Sequence, residues 1–143
     1  MRRTYIANWD LRWEWFTNPG EIVAASVFYK RFFDPIERYA DPARDGDNTF
    51  FFKANVPDAR VYGLELEYRQ SLGVIDNLIG MHGVFSDVKL GTNFSYVFSE
   101  VDVPEEEIES LERNFVDNPD KTRPFVGQSP VLANVNLAYD NYE

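Results

Sequence analysis

Glu65 and Glu67 are the residues of this chain best spaced for acid–base chemistry. Two apart on an extended strand, their carboxylates share one face at roughly 7 Å, a separation a glycosidase can use for its acid and its second carboxylate. Arg69 continues the same row, and a polar strand face with its own counter-charge accounts for all three residues without a substrate cleft; that reading is preferred. Asp41, Asp45, Asp47 and Asn48 offer hard oxygen ligands around Gly46, a residue that permits a sharp turn. Their spacing is not that of an EF-hand, and a solvated acidic loop is the simpler account. Trp9, Trp13 and Trp15 could stack on a sugar, but rings turned toward lipid or a packed interface explain them more simply. With a single histidine, His82, and no cysteine, a histidine-based metal cluster, a Ser–His pair and a thiolate site are all disfavoured. No enzyme activity, metal or cofactor is expected.

Those residues must be held by elements the composition can support. The 143 residues match one ordinary domain. A net charge of −10 argues against nucleic acid and against an anionic membrane surface, both of which select basic faces. Aromatic residues make up 16% of the chain, which asks for a surface where rings are wanted. The opening MRRTYIANWD has no apolar core segment and does not read as a signal peptide. No apolar run approaches the roughly 18 residues of a transmembrane helix, so any membrane contact falls to strands.

Strand signals recur along the chain. Trp9, Leu11, Trp13 and Trp15 alternate with Asp10, Arg12 and Glu14, a period of two. TNPGE then supplies turn chemistry, and a partner strand follows in IVAASVFYKRFFDPIERY. ADPARDGDN, residues 40–48, is polar and aperiodic. In RVYGLELEYRQSL, Tyr62, Leu64, Leu66 and Tyr68 oppose Gly63, Glu65, Glu67 and Arg69. Residues 73–87 have room for a short helical turn around Ile75 to Ile79. VKLGTNFSYVFSEV sets Leu90, Thr92, Phe94, Tyr96 and Phe98 against Gly91, Asn93, Ser95 and Ser99. Across the acidic stretch 102–122, Ile108, Leu111 and Phe115 recur at helical spacing, and GQSPVLANVNLAYD closes the series with Val131, Ala133, Val135, Leu137 and Tyr139 against Asn134, Asn136 and Asp140. The predicted fold is all-β, an antiparallel up-and-down meander of about five strands with short loop helices. Its connections alternate: a tight turn at 18–21, a long loop over about 34–58, a medium turn, and a long acidic loop. Short turns at one end and long loops at the other suit a sector of a transmembrane β-barrel.

The segments NWDLRWEWFTNPGEIVAASVFYKRFFDPIERY, NVPDARVYGLELEYRQSL, LGTNFSYVFSEV and GQSPVLANVNLAYD, in that order, resemble successive parts of the barrel of a TonB-dependent outer-membrane receptor. The resemblance implies a barrel of about 22 strands closed by an N-terminal plug. It also implies uptake of a scarce solute (iron chelate, vitamin or glycan) across a bacterial outer membrane, driven through TonB. Against that pattern, residues 1–143 read as a partial barrel domain from the C-terminal part, with neither plug nor TonB box.

The resemblance orients residues 8–17, 60–72 and 129–140 toward the periplasm and 22–33 and 88–101 outward. Trp13, Trp15, Tyr68 and Tyr139 then fall near the periplasmic end, as a lipid-facing aromatic girdle requires. Glu65, Glu67, Arg69, Asn93, Asn134 and Asn136 fall on the lumen side. The loops over about 34–58 and 102–122 become the ligand-facing elements. The expected partners are outer-membrane lipid, the remaining barrel and the plug, with TonB reached only through the plug. Five strands cannot close around a lumen, so the isolated chain is expected to form a homo-oligomer. The alternative from a different class is a self-contained soluble β-barrel or sandwich that binds a small ligand or carbohydrate.

Overall fold

The computed structural model describes residues 2–41, 50–80, 83, 85–114 and 117–139, with side chains described for all of these but 39–41, 50–52, 110 and 114. The element order is β1 (Tyr5–Trp15), β2 (Ile22–Phe33), β3 (Ile36–Asp41), β4 (Phe50–Asn55), β5 (Asp58–Ser71), α1 (Gly73–Ile79), β6 (Val88–Asp102), α2 (Glu105–Asn114), β7 (Thr122–Arg123) and β8 (Val131–Tyr139). The main sheet runs β1-β2-β5-β6-β7, with β8 also paired to β6, while β3 and β4 form a sheet of their own. The registered pairs β3–β4, β6–β7 and β6–β8 are antiparallel. The long strands β1, β2, β5, β6 and β8 coincide with the alternating segments of the sequence, as an open antiparallel meander.

The breaks have local causes. Between β1 and β2, Pro19 precedes Gly20 at φ 82°, and the Glu21 N–H donates to the Asn18 carbonyl at 3.0 Å. This is the residue pattern of a type II turn, which needs a positive φ at its third position. The predicted run from Ile22 to Tyr39 is not one strand. Asp34 adopts φ 51° and Pro35 has no N–H to continue the ladder, so β2 ends and β3 starts in a second sheet. The expected loop over about 34–58 therefore contains a hairpin, with Ile36 opposite Asn55 and Asp41 opposite Phe50. Its base is clamped: the Val56 N–H donates to the Pro35 carbonyl at 2.9 Å and the Asn55 amide to the Asp34 carbonyl at 2.6 Å. Residues 42–49, which hold most of the aperiodic loop, lie outside the described residues.

Helical spacing in the two connections is realised as α1 and α2. α2 starts after Pro104 with Glu105, Glu106 and Glu107 in its first turn, where negative charge is favoured by the helix dipole. Phe115, the last of its predicted apolar positions, lies outside the described residues.

The chain divides into two compact units: Met1–Trp9, Phe28–Tyr62 and Phe98–Gln128 form the first, and Asp10–Val27, Gly63–Val97 and Ser129–Glu143 the second. The first has a small water-excluding core of Val56, Ala59 and Val101, with Phe32 and Phe125 packed against it edge to face at 5.6 Å. The Phe125 N–H donates to Ser99 Oγ at 3.0 Å, which fixes the segment that carries the ring. The second unit is mainly two-faced sheet. On one side of β6–β8, Val88 opposes Tyr139, Leu90 Leu137, Thr92 Val135, Phe94 Ala133 and Tyr96 Val131. On the other side Gly91 opposes Asn136, Asn93 opposes Asn134 and Ser95 opposes Leu132. Lys89 opposes Ala138 there too, and Leu132 and Ala138 on this side and Thr92 on the other depart from the apolar/polar split.

Candidate functional site

The chemistry-bearing residues of the second unit gather around Glu67. Arg12 donates from Nη2 to Glu67 Oε2 at 2.7 Å, from Nε to Glu14 Oε1 at 2.6 Å and from Nη1 to Ser26 Oγ at 3.1 Å. Arg69 donates to Glu67 Oε1 from Nη2 at 2.6 Å and from Nε at 3.1 Å. Both Glu67 oxygens are thus taken by guanidinium groups. Neither is left for a glycosidic oxygen, so the pair with the exposed Glu65 is not arranged as an acid and a second carboxylate. Across β6 and β8, Asn93 faces Asn134. Asn136 lies so close over Gly91 that a Cβ there would sit 2.0 Å from its Oδ1, which is why this position takes a glycine.

The four aromatic candidates all belong to the second unit, and a chain of contacts brings them to one end of it. Trp13 and Trp15 close β1, just before the turn at Asn18–Glu21. Glu21 Oε1 accepts the Ser71 N–H at 3.1 Å, tying that turn to the end of β5, three residues beyond Tyr68. The Leu72 N–H donates to the Val88 carbonyl at 2.8 Å, and Val88 opposes Tyr139. Trp13 is 57% exposed and Tyr139 69%. Tyr68 donates its hydroxyl to Gln70 Oε1, keeping its polar tip occupied.

Sequence reasoning missed the Glu21 node. Its side chain is buried at 8% exposure and also accepts from Asn18 Nδ2 at 2.6 Å and Thr17 Oγ1 at 2.9 Å. The Asn18 and Thr17 hydrogen bonds, with the Ser71 N–H, hold its carboxyl below the usual carboxylate range against the opposing effect of burial. Turn residues predict the local half of this node. Ser71 lies 50 residues away and leaves no local signal.

The first unit carries different chemistry. Asp58, buried, is held by Arg31 Nε at 2.8 Å and Arg60 Nε at 3.2 Å, and Arg123 reaches Glu37 at 3.5 Å. An open cavity of about 1140 Å³ is lined by Arg2, Asn55, Glu105, Glu107, Glu112 and Lys121 among others. Asp41, at the end of β3, is described only for its backbone, and Asp45, Asp47, Asn48, His82 and Asp140 lie outside the described residues. Among the described residues no group of three or more His, Cys, Asp or Glu is placed to hold a metal ion, and no helix is long and apolar enough to cross a membrane.

A sheet that, in the second unit, leaves large apolar side chains exposed on one face and carries the Arg12–Glu67–Arg69 ion pairs on the other has the pattern of the class of transmembrane β-barrels. Within that class, the family described as "TonB dependent receptor-like, beta-barrel" matches residues 4–143, and the chain belongs to it. This family comprises receptors and transporters rather than enzymes. No curated protein and no solved structure matches the chain.

Proposed function

We propose that this chain is a sector of the barrel of an outer-membrane receptor that takes up a scarce solute, such as an iron chelate, vitamin or glycan, in its full-length parent. The observation that carries this reading is a row of large exposed side chains that recurs on one face of successive strands. Trp9, Leu11, Trp13 and Trp15 of β1, Leu64 and Leu66 of β5, and Val135 and Leu137 of β8 are all open to the surroundings. A protein surrounded by water gains by covering such a face; hydrocarbon leaves it where it is.

In this reading Trp13, Trp15, Tyr68 and Tyr139 form the periplasmic girdle. Glu65, Glu67, Arg69, Asn93, Asn134 and Asn136 face the lumen or the plug, and the Arg12–Glu67–Arg69 network braces that wall. The β3–β4 hairpin and the α2 connection face outward as the ligand-facing elements, with TonB acting through the plug of the assembled receptor. Separated from the rest of a barrel, the chain self-associates, because β1 and β8 have no second partner among the described strands. Size-exclusion chromatography with light scattering, with and without detergent, tests this. Discrete oligomers or a need for detergent support the sector. A clean monomer that binds no detergent points instead to a self-contained soluble ligand-binding barrel.

A further inference from the structure

α1 is built inside out. Val74 and Leu78 lie four apart on one stripe of the helix, with Ile75 and Ile79 beside them. In a water-facing helix this stripe packs inward and the charged residue points out. Here Leu78 is 85% exposed, more than any other large hydrophobic among the described residues, and Val74 and Ile79 are exposed with it. The charged residue, Asp76, is the buried one at 4%, and its two carboxylate oxygens accept the Phe85 N–H at 3.1 and 3.0 Å. From Leu72 to Gly80 the sequence has no other charge, so nothing ionic is offered to the outside.

The position of the helix decides what covers it. α1 begins two residues after β5 ends, and the bonds from Leu72 to Val88 and the pairing of Val88 with Tyr139 put its start at the end of the second unit that carries the exposed aromatic rings. Its apolar stripe is exposed like the strand face of the same unit. We infer that α1 is an interfacial anchor, which rests on the barrel-sector reading above. Its Val74–Leu78–Ile79 face lies in the headgroup–acyl boundary of the leaflet at the short-turn end, and Asp76 pins the helix to the following segment from behind. Insertion of this kind depends on apolar burial, since the helix has no cation to attract lipid. It is therefore insensitive to salt.

The absence of cysteine allows a single reporter. The full chain is prepared as Leu78→Cys and, separately, Leu137→Cys on β8, each labelled with bimane and reconstituted in phosphatidylcholine vesicles brominated either near the headgroup or deep in the acyl chain. Both positions are already exposed, so neither substitution opens a core. The expected result at position 78 is a loss of about half the emission or more with shallow bromines, a smaller loss with deep ones, and no change on adding salt. If position 137 is quenched while 78 stays accessible to a water-borne quencher, the anchor is overturned and the barrel sector stands. Emission at 78 that ignores bromine but shifts with protein concentration also overturns the anchor, in favour of a second copy of the chain. If neither position is quenched, both the anchor and the sector fail.

Discussion

The two units solve opposite problems with the same kind of strand. In the first, residues brought back by long connections make an interior: Phe125 returns from beyond β7 onto Phe32, and Val56, Ala59 and Val101 close the core. In the second, a tight turn joins β1 to β2 and only α1 stands between β5 and β6, and β8 leaves all nine of its residues exposed on both faces. Stability in the first unit comes from packing within the chain. In the second it must come from whatever meets the apolar face. The difference teaches that a period of two defines faces but not their surroundings, and that connection length decides whether the chain can supply its own cover.

The largest expected effect sharpens the contrast directly. Val101→Asp places an unpaired charge where exposure is 0% and should cost about 4 kcal/mol or more, read as loss of hydrogen-exchange protection around β3, β4 and β7. Val135→Arg, on the exposed face of β8, should cost nothing in detergent-free solution but about 2 to 4 kcal/mol in a bilayer if it lies near mid-depth, measured by urea unfolding from vesicles. Equal costs in both media would break the comparison.

Smaller effects probe the polar side of the second unit. Gly91→Ala should destabilise by about 1 kcal/mol through its clash with Asn136, and the double variant Gly91→Ala/Asn136→Ala should recover most of the loss in a thermal melt. Failure of that rescue would mean that the backbone, not the asparagine, rejects the methyl group. The smallest effect concerns Glu21. Its carboxyl is depressed below the ordinary value of 4.5, so its contribution is fully present above that value and is lost as pH falls through the lower folded-state value. The wild-type unfolding midpoint should therefore drop through that acid window, and Glu21→Gln should flatten the drop.

The long strands were legible because each face alternates locally: Trp9 to Trp15, Leu90 to Phe98 and Val131 to Tyr139 each announce a two-sided environment. α2 was legible from Ile108 and Leu111 for the same reason, at the helical period. The β3–β4 hairpin was not, because Phe50, Phe51 and Phe52 form an apolar run without alternation, which fits a strand or a buried turn equally. Phe125 and Ser71 were missed because their partners, Phe32 and Glu21, lie far away in sequence. The inversion of α1 was invisible for a different reason. Its periodicity is that of any amphipathic helix, and only burial shows which side Asp76 takes.

The most direct test of lipid against the apolar face uses the three native tryptophans, Trp9, Trp13 and Trp15, all on the exposed side of β1. The unlabelled chain is reconstituted into vesicles with brominated acyl chains, and its intrinsic fluorescence is compared with that in plain vesicles. Lipid contact along β1 predicts strong quenching by bromine and little by aqueous acrylamide. Full accessibility to acrylamide with no effect of bromine would show that the face meets water or protein, and would contradict the barrel sector.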